Sequence, residues 1–161
     1  MIQITLPDGS IKEFQKGITP MDVAKSISEG FARNVISAKF NEKTVETTTS
    51  LNKNGSLTLY TFNEPEGKKA FWHSSAHVLA QAIQHLYPSV KLTIGPAIEN
   101  GFYYDIDFGD NTVSEKDFPL IENKFLELAR GKHEFKMSEV SKQDALAKYK
   151  KENNQDRKSV V

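Results

Sequence analysis

Ile2-Gln3-Ile4-Thr5-Leu6-Pro7-Asp8-Gly9-Ser10-Ile11-Lys12-Glu13-Phe14 reads as two short alternating segments, Ile2 to Leu6 and Ile11 to Phe14, on either side of a polar turn. Alternation places the odd and even side chains on opposite faces of a strand, and Asp8-Gly9 is a strong two-residue hairpin signal. The chain is therefore expected to open with a β-hairpin. Thr19-Pro20-Met21-Asp22 supplies an N-cap hydroxyl, a proline at the first helical position and an acid in the first turn; Val23, Ala24 and Ile27 follow as an apolar face, with Gly30 as the stop. Val35 to Phe40, a turn at Asn41-Glu42-Lys43, Val45, and Ser56 to Phe62 after Asn54-Gly55 supply further strands. A hairpin, a helix and more strands within the first 62 residues predict a β-grasp (ubiquitin-like) domain, one helix packed on a small mixed sheet.

Asn63-Glu64-Pro65-Glu66-Gly67 is polar and contains both helix breakers, so residues 63–67 are read as a linker. Beyond it, Trp72, Ala76, Leu79, Ile83 and Leu86 recur at steps of four and three, the stripe of an amphipathic helix. His73 and His77 sit one residue on, about 100° from that stripe, at the expected border of core and solvent. Pro88 closes the helix and Val90 to Ile94 reads as a strand ended by Gly95-Pro96. Gly101-Phe102-Tyr103-Tyr104-Asp105-Ile106-Asp107-Phe108 reads as one half-buried strand. Ser114-Glu115-Lys116-Asp117 caps a helix carrying Phe118, Ile121, Phe125 and Leu128 up to Gly131; a strand around Phe135 to Val140 and a helix from Ser141 to about Lys151 follow. The overall class is α+β, with a second domain over residues 68–152. Residues 153–161 show neither period nor cap and are read as a non-native or disordered tail.

Twenty-one basic residues balance twenty-one acidic ones, so any RNA contact must come from a local patch rather than a global field. With no cysteine there is neither a disulfide nor a thiolate nucleophile, which fits a reducing compartment. The start reaches Pro7-Asp8-Gly9 too soon for a signal peptide, and no apolar run approaches the roughly 18 residues of a membrane span. A cytoplasmic protein is expected.

A His-x-x-x-His pair on a helix can share one metal or act together on one water. Zinc would need further ligands, and His85, His133 and the carboxylates show no recognisable spacing; Ser74 stands where a His-Glu-x-x-His metalloprotease would carry its base. The plainer alternative is two half-buried histidines making hydrogen bonds. Gly95 to Gly101 is either a plain turn or a loop that lets backbone approach a ligand, with Tyr104 offering a hydroxyl from the next strand. Phe102, Tyr103 and Phe108 read as core before they read as stacking platforms, and Lys68, Lys69, Lys148, Lys150 and Lys151 as solvated surface, with a weak RNA contact as the alternative. No glycine-rich phosphate loop is present.

Together these residues resemble the N-terminal region of the bacterial threonyl-tRNA synthetase family, from Met1 to about Lys151. Ile4 to Ser10 and Thr19 to Ala24 are similar to that family's TGS module, a β-grasp domain. His73-Ser74-Ser75-Ala76-His77-Val78-Leu79 followed by Ile94 to Asp105 is similar to the first half of its editing domain. The resemblance implies a hydrolase that removes serine misattached to threonine tRNA. A single methyl group separates the two amino acids and gives only about 1–3 kcal/mol of discrimination, so a second, hydrolytic sieve is needed. It further implies catalytic roles for His73 and His77, a pocket shaped by Gly95 and Tyr104, and contact with the tRNA(Thr) acceptor end and its serine or threonine esters. A homodimeric parent ligase is implied, using ATP, Mg and Zn in domains beyond this chain, with no metal site or cofactor in the chain itself. The family's downstream Cys-x-x-x-His segment is missing here, and Lys158 lies in the tail, so half an editing site without activity of its own is expected. A stand-alone TGS-type RNA-binding or regulatory module and a small metal-binding protein are the competing readings.

Overall fold

A computed structural model describes residues 1–131 and 140–151. The expected strand around Phe135 and the tail from Asn153 lie outside the described residues. The chain divides into two compact units at Phe71/Trp72.

The first unit is a five-stranded sheet packed against one principal helix followed by a short second one, the β-grasp arrangement. Strands β1 (Ile2–Thr5), β2 (Ile11–Phe14), β3 (Ser37–Phe40), β4 (Lys43–Val45) and β5 (Gly55–Tyr60) lie in the order β2-β1-β5-β3-β4. β1 and β5 run parallel at the centre, and the outer pairs are antiparallel. Ile2, Ile4 and Leu6 enter one face by alternation and close the core with Val23, Ala38, Phe40, Leu51 and Leu57. Helix α1 (Pro20–Ile27) is fixed by the capping box expected at Thr19: its hydroxyl oxygen accepts the Asp22 N–H at 3.1 Å, and the Asp22 carboxylate accepts the Thr19 N–H at 3.2 Å. The Thr19 hydroxyl, which donates to Asp22 Oδ2 at 2.6 Å, and then the Thr19 N–H hold the Asp22 carboxyl below its usual range.

Two local expectations are corrected. The hairpin turn is not a two-residue Asp-Gly loop: the Leu6 carbonyl accepts the Gly9 N–H at 2.9 Å, the Leu6 N–H donates to Ser10 O at 2.8 Å, and only Gly9 has positive φ, at 82°. Pro7 presets the first central position of a type I turn, and Gly9 takes the left-handed position after it, which gives a three-residue loop. Gly30 does not stop α1 either. Ser28, extended at φ −166°, ends that helix, and its hydroxyl caps a second one, α2 (Glu29–Ala32), that contains Gly30. By contrast Asn41 and Glu42, at φ 46° and 67°, form the tight two-residue connection between β3 and β4.

Helix α3 (Pro65–Leu86) begins inside the stretch read as a linker. Proline at the first helical position starts a helix as readily as it ends one, and Gly67 lies so close to Thr61 that a Cβ would overlap its carbonyl oxygen. In the second unit, β6 (Lys91–Leu92) pairs with β9 (Ile106–Asp107), and β7 (Ala97–Ile98) with β8 (Gly101–Phe102). The single strand expected from Gly101 to Phe108 is thus two short ones, because the chain changes partner across Tyr103-Tyr104-Asp105. A 3-10 turn at Glu115–Asp117 leads into α4 (Phe118–Arg130), with Leu128 buried, Ile121 and Phe125 half-buried and Phe118 exposed; α5 (Lys142–Lys151) follows. The small core of this unit joins Ala80 and Ile83 of α3 to Val90 and Leu92, with Tyr87, Tyr104, Ile106, Phe108 and Ile121 packed on it. Among the described residues no helix is long and apolar enough to cross a membrane.

Candidate functional site

Residues Ala76, Ala80, Ala82 and Ile83 form the buried part of α3, with Trp72, Leu79 and Leu86 only half-buried. Three of those four buried side chains are single methyl groups, so the buried strip is narrow. Positions turned away from it emerge into water, and both imidazoles are exposed rather than half-covered as the periodicity suggested. One helical turn apart, they meet: His73 Nε2 and His77 Nε2 are 3.1 Å apart, with ring centroids 4.5 Å apart and planes at 83°. A hydrogen bond between two Nε2 atoms requires that one ring donate and the other accept, so the two tautomers are linked. Such a pair can take a proton at one ring while the other holds a water, which is the chemistry of general acid–base hydrolysis.

Gly95 and Tyr104 form a second pair. A Cβ built at Gly95 would overlap Cδ2 of Tyr104 and lie 2.5 Å from Cε2 and 2.8 Å from Cγ, so the Tyr104 ring covers the Gly95 backbone. The neighbouring backbone is tied by Asp105 N to Ile94 O at 2.9 Å and by Thr93 N and Oγ1 to Asp105 O at 3.1 and 2.6 Å. That short ladder holds the two residues in register without a long strand. The family resemblance implies one pocket shaped by Gly95 and Tyr104, but the direct contact of ring on backbone has no signal in the spacing. Phe102 leans on Trp72 with centroids 6.3 Å apart, Phe108 stacks edge-on to Tyr87 at 5.7 Å, and Tyr103 is exposed.

The cavities described here lie away from all four of these residues. One, of about 340 Å³, is lined by Leu79, Ile121, Glu122, Phe125 and Leu126; the other, of about 700 Å³, is in the first unit. Among the described residues no group of three or more His, Cys, Asp or Glu is placed to hold a metal ion. Two imidazoles alone do not fit a zinc site, which takes at least three protein ligands.

Residues 2–61 match the TGS domain family. The first unit is a TGS domain. Over 150 residues the chain is 65% identical to the threonine–tRNA ligase of Flavobacterium johnsoniae, an alignment covering 93% of the chain and 23% of that protein. It is 55% identical over 147 residues to the same-named enzyme of Cytophaga hutchinsonii, covering 91% and 23%, and 44% identical over 152 residues to that of Caldanaerobacter subterraneus subsp. tengcongensis, covering 94% and 23%. These relatives are matched in their N-terminal regions. The chain thus spans about a quarter of the length of the curated relatives it matches.

Proposed function

We propose that the chain is the N-terminal part of a threonine–tRNA ligase and that its second unit contributes to post-transfer editing, the hydrolysis of serine esterified to tRNA(Thr). The observation that carries this reading is the His73–His77 pair, linked at 3.1 Å on a solvent-open helix face, within a sequence 65% identical to such a ligase. In hydrolysis a water oxygen bonds to the ester carbonyl carbon and the bond to the ribose oxygen breaks, releasing serine and a free tRNA hydroxyl. His77 orients the water and accepts its proton, while His73 stands toward the ribose and returns a proton to the leaving oxygen; their hydrogen bond lets one proton serve both steps. Gly95 and Tyr104, whose ring packs on the bare glycine backbone, form a wall of the amino-acid pocket, which admits serine and rejects the further methyl of threonine.

The parent enzyme attaches threonine to tRNA(Thr) with ATP, acts as a homodimer in the cytoplasm, and holds its ATP, Mg and Zn in the three-quarters of the relatives' length beyond the matched region. The domain plan is 1–62 TGS and 68–152 editing, joined through the first turn of α3 rather than by a separate linker, and the 161 residues alone have no hydrolytic activity. Deacylation of serine-charged tRNA(Thr) by this chain, beside a version extended through the rest of the editing domain, is the test. Hydrolysis by the extended version alone is expected; equal hydrolysis by both, or by neither, contradicts the reading.

A further inference from the structure

The carbonyl of Asp105 accepts from two groups of one residue, the Thr93 N–H at 3.1 Å and the Thr93 hydroxyl at 2.6 Å. A strand ladder supplies a carbonyl with one N–H; the hydroxyl is a further donor to the oxygen's second lone pair. We infer that Thr93 is a positioning residue for serine selectivity: its hydroxyl fixes Asp105, and with it Tyr104 against Gly95, so that the wall that rejects threonine stays in place. The inference rests on the editing reading above and adds to it a residue outside the pocket.

Thr93 stands two residues before Gly95, and Asp105 directly follows Tyr104, so the bond ties the two chain segments that bring ring and bare backbone together. Length of pairing cannot hold them, because β6, β7, β8 and β9 are two residues each. The backbone bond from Asp105 N to Ile94 O joins two exposed residues, where water competes for both groups. Thr93 is half-buried and β-branched, so its side chain is restricted before it bonds, and the hydroxyl meets the carbonyl with little further loss of freedom.

The other end of Tyr104 is held differently. Its ring packs on the cluster of Ala80, Ile83, Val90 and Leu92, and Ala80 lies three residues beyond His77 on α3. The ring is thus anchored on the core beneath the histidine helix, and the backbone on Thr93. Without the hydroxyl the ring keeps its cluster while the backbone around Gly95 drifts from it, and the pocket widens. Selection between serine and threonine turns on one methyl group, so a small widening is felt as lost discrimination rather than lost hydrolysis. A threonine that only filled a strand position would affect both esters alike.

The test is Thr93→Val, which keeps the β-branched shape and leaves the Asp105 carbonyl its N–H donor, beside Thr93→Ser, which keeps the hydroxyl. In the chain extended through the rest of the editing domain, hydrolysis of serine-charged and threonine-charged tRNA(Thr) gives the ratio of kcat/KM for the two esters. In the 161-residue chain, the nuclear Overhauser effect between the Tyr104 ring and the Gly95 Hα reports their contact. Thr93→Val should lower the serine-to-threonine ratio roughly 2- to 12-fold, the worth of one such hydrogen bond, by speeding hydrolysis of the threonine ester, and should weaken the Overhauser effect; Thr93→Ser should retain both. An unchanged ratio, equal slowing of both esters, an unchanged Overhauser effect in Thr93→Val, or a Thr93→Ser chain as unselective as Thr93→Val would overturn the inference and leave the editing reading standing. An extended wild-type chain that hydrolyses neither ester overturns the editing reading itself, and the inference with it.

Discussion

Substituting Gly95→Ala tests the packing of the Tyr104 ring on the Gly95 backbone, on which the proposed amino-acid pocket depends. The added methyl would lie 2.8 Å from Cγ of Tyr104 and overlap Cδ2, about 1 Å short of an ordinary carbon–carbon separation of roughly 3.5–4.0 Å. The ring cannot simply retreat, because Tyr104 packs on the cluster of Ala80, Ile83, Val90 and Leu92. Either it swings into solvent or the 93–95 backbone gives up its ties to Asp105, and overpacking of this kind costs about 1–3 kcal/mol. In a unit of this size each kcal/mol moves the melting midpoint by about 4–8 °C, so a 2 kcal/mol cost corresponds to about 8–16 °C. Trp72, the chain's single tryptophan, lies in the second unit and reports its unfolding by fluorescence. Tyr104→Ala removes the obstacle, so the double variant Gly95→Ala, Tyr104→Ala should be less damaged than the sum of the two single changes, with a favourable coupling above about 0.5 kcal/mol. A Gly95→Ala chain with an unshifted midpoint, or strictly additive effects, would refute the close packing of ring on backbone.

In the first unit Ile4 is fully buried, and Ile4→Ala should cost about 2–5 kcal/mol in urea unfolding followed by circular dichroism. Thr19→Ala removes the capping box and should cost about 1 kcal/mol near neutral pH. Because Asp22 is held below its usual range chiefly by the Thr19 hydroxyl, its stabilising effect is present above the unfolded carboxyl's pKa and is lost as pH falls through the folded one; Thr19→Ala should flatten the acid side of the stability profile, and an unchanged acid slope would contradict the assignment. Glu42→Gly relieves a left-handed residue at φ 67°, worth about 1–2 kcal/mol, against about 0.5–1 kcal/mol of backbone entropy. A net gain of about 0.5 kcal/mol in thermal unfolding is expected, since the Lys39–Glu42 pair it removes is exposed on the Glu42 side.

Much of the β-grasp unit was legible because its signals are local: alternation in Ile2 to Leu6, the Thr19-Pro20-Asp22 cap, and the turn at Asn41-Glu42 each act within four residues. What misled was punctuation with two meanings. Pro65 reads as a breaker in the sequence but starts α3, and Asp8-Gly9 reads as a two-residue turn but Pro7 before it selects another. In the second unit the strands are two residues long and held by partners far along the chain, so Gly101 to Phe108 looked continuous when its pairing switches midway. His73 and His77 could be placed together from spacing alone, but their exposure depends on how little the neighbouring alanines cover. The Gly95–Tyr104 contact joins residues nine apart through the fold of a loop, and no periodicity encodes it.

The central claim is that the two α3 histidines act as one hydrolytic unit, and hydrolysis of serine-charged tRNA(Thr) by the extended chain and its His73→Ala, His77→Ala and double variants tests it most directly. Each single change should lower the rate by about 10²–10⁴-fold, and the double variant should be little worse than either, because groups that share one proton do not contribute additively. Single variants that hydrolyse the ester at the wild-type rate, with native circular dichroism, would contradict the account.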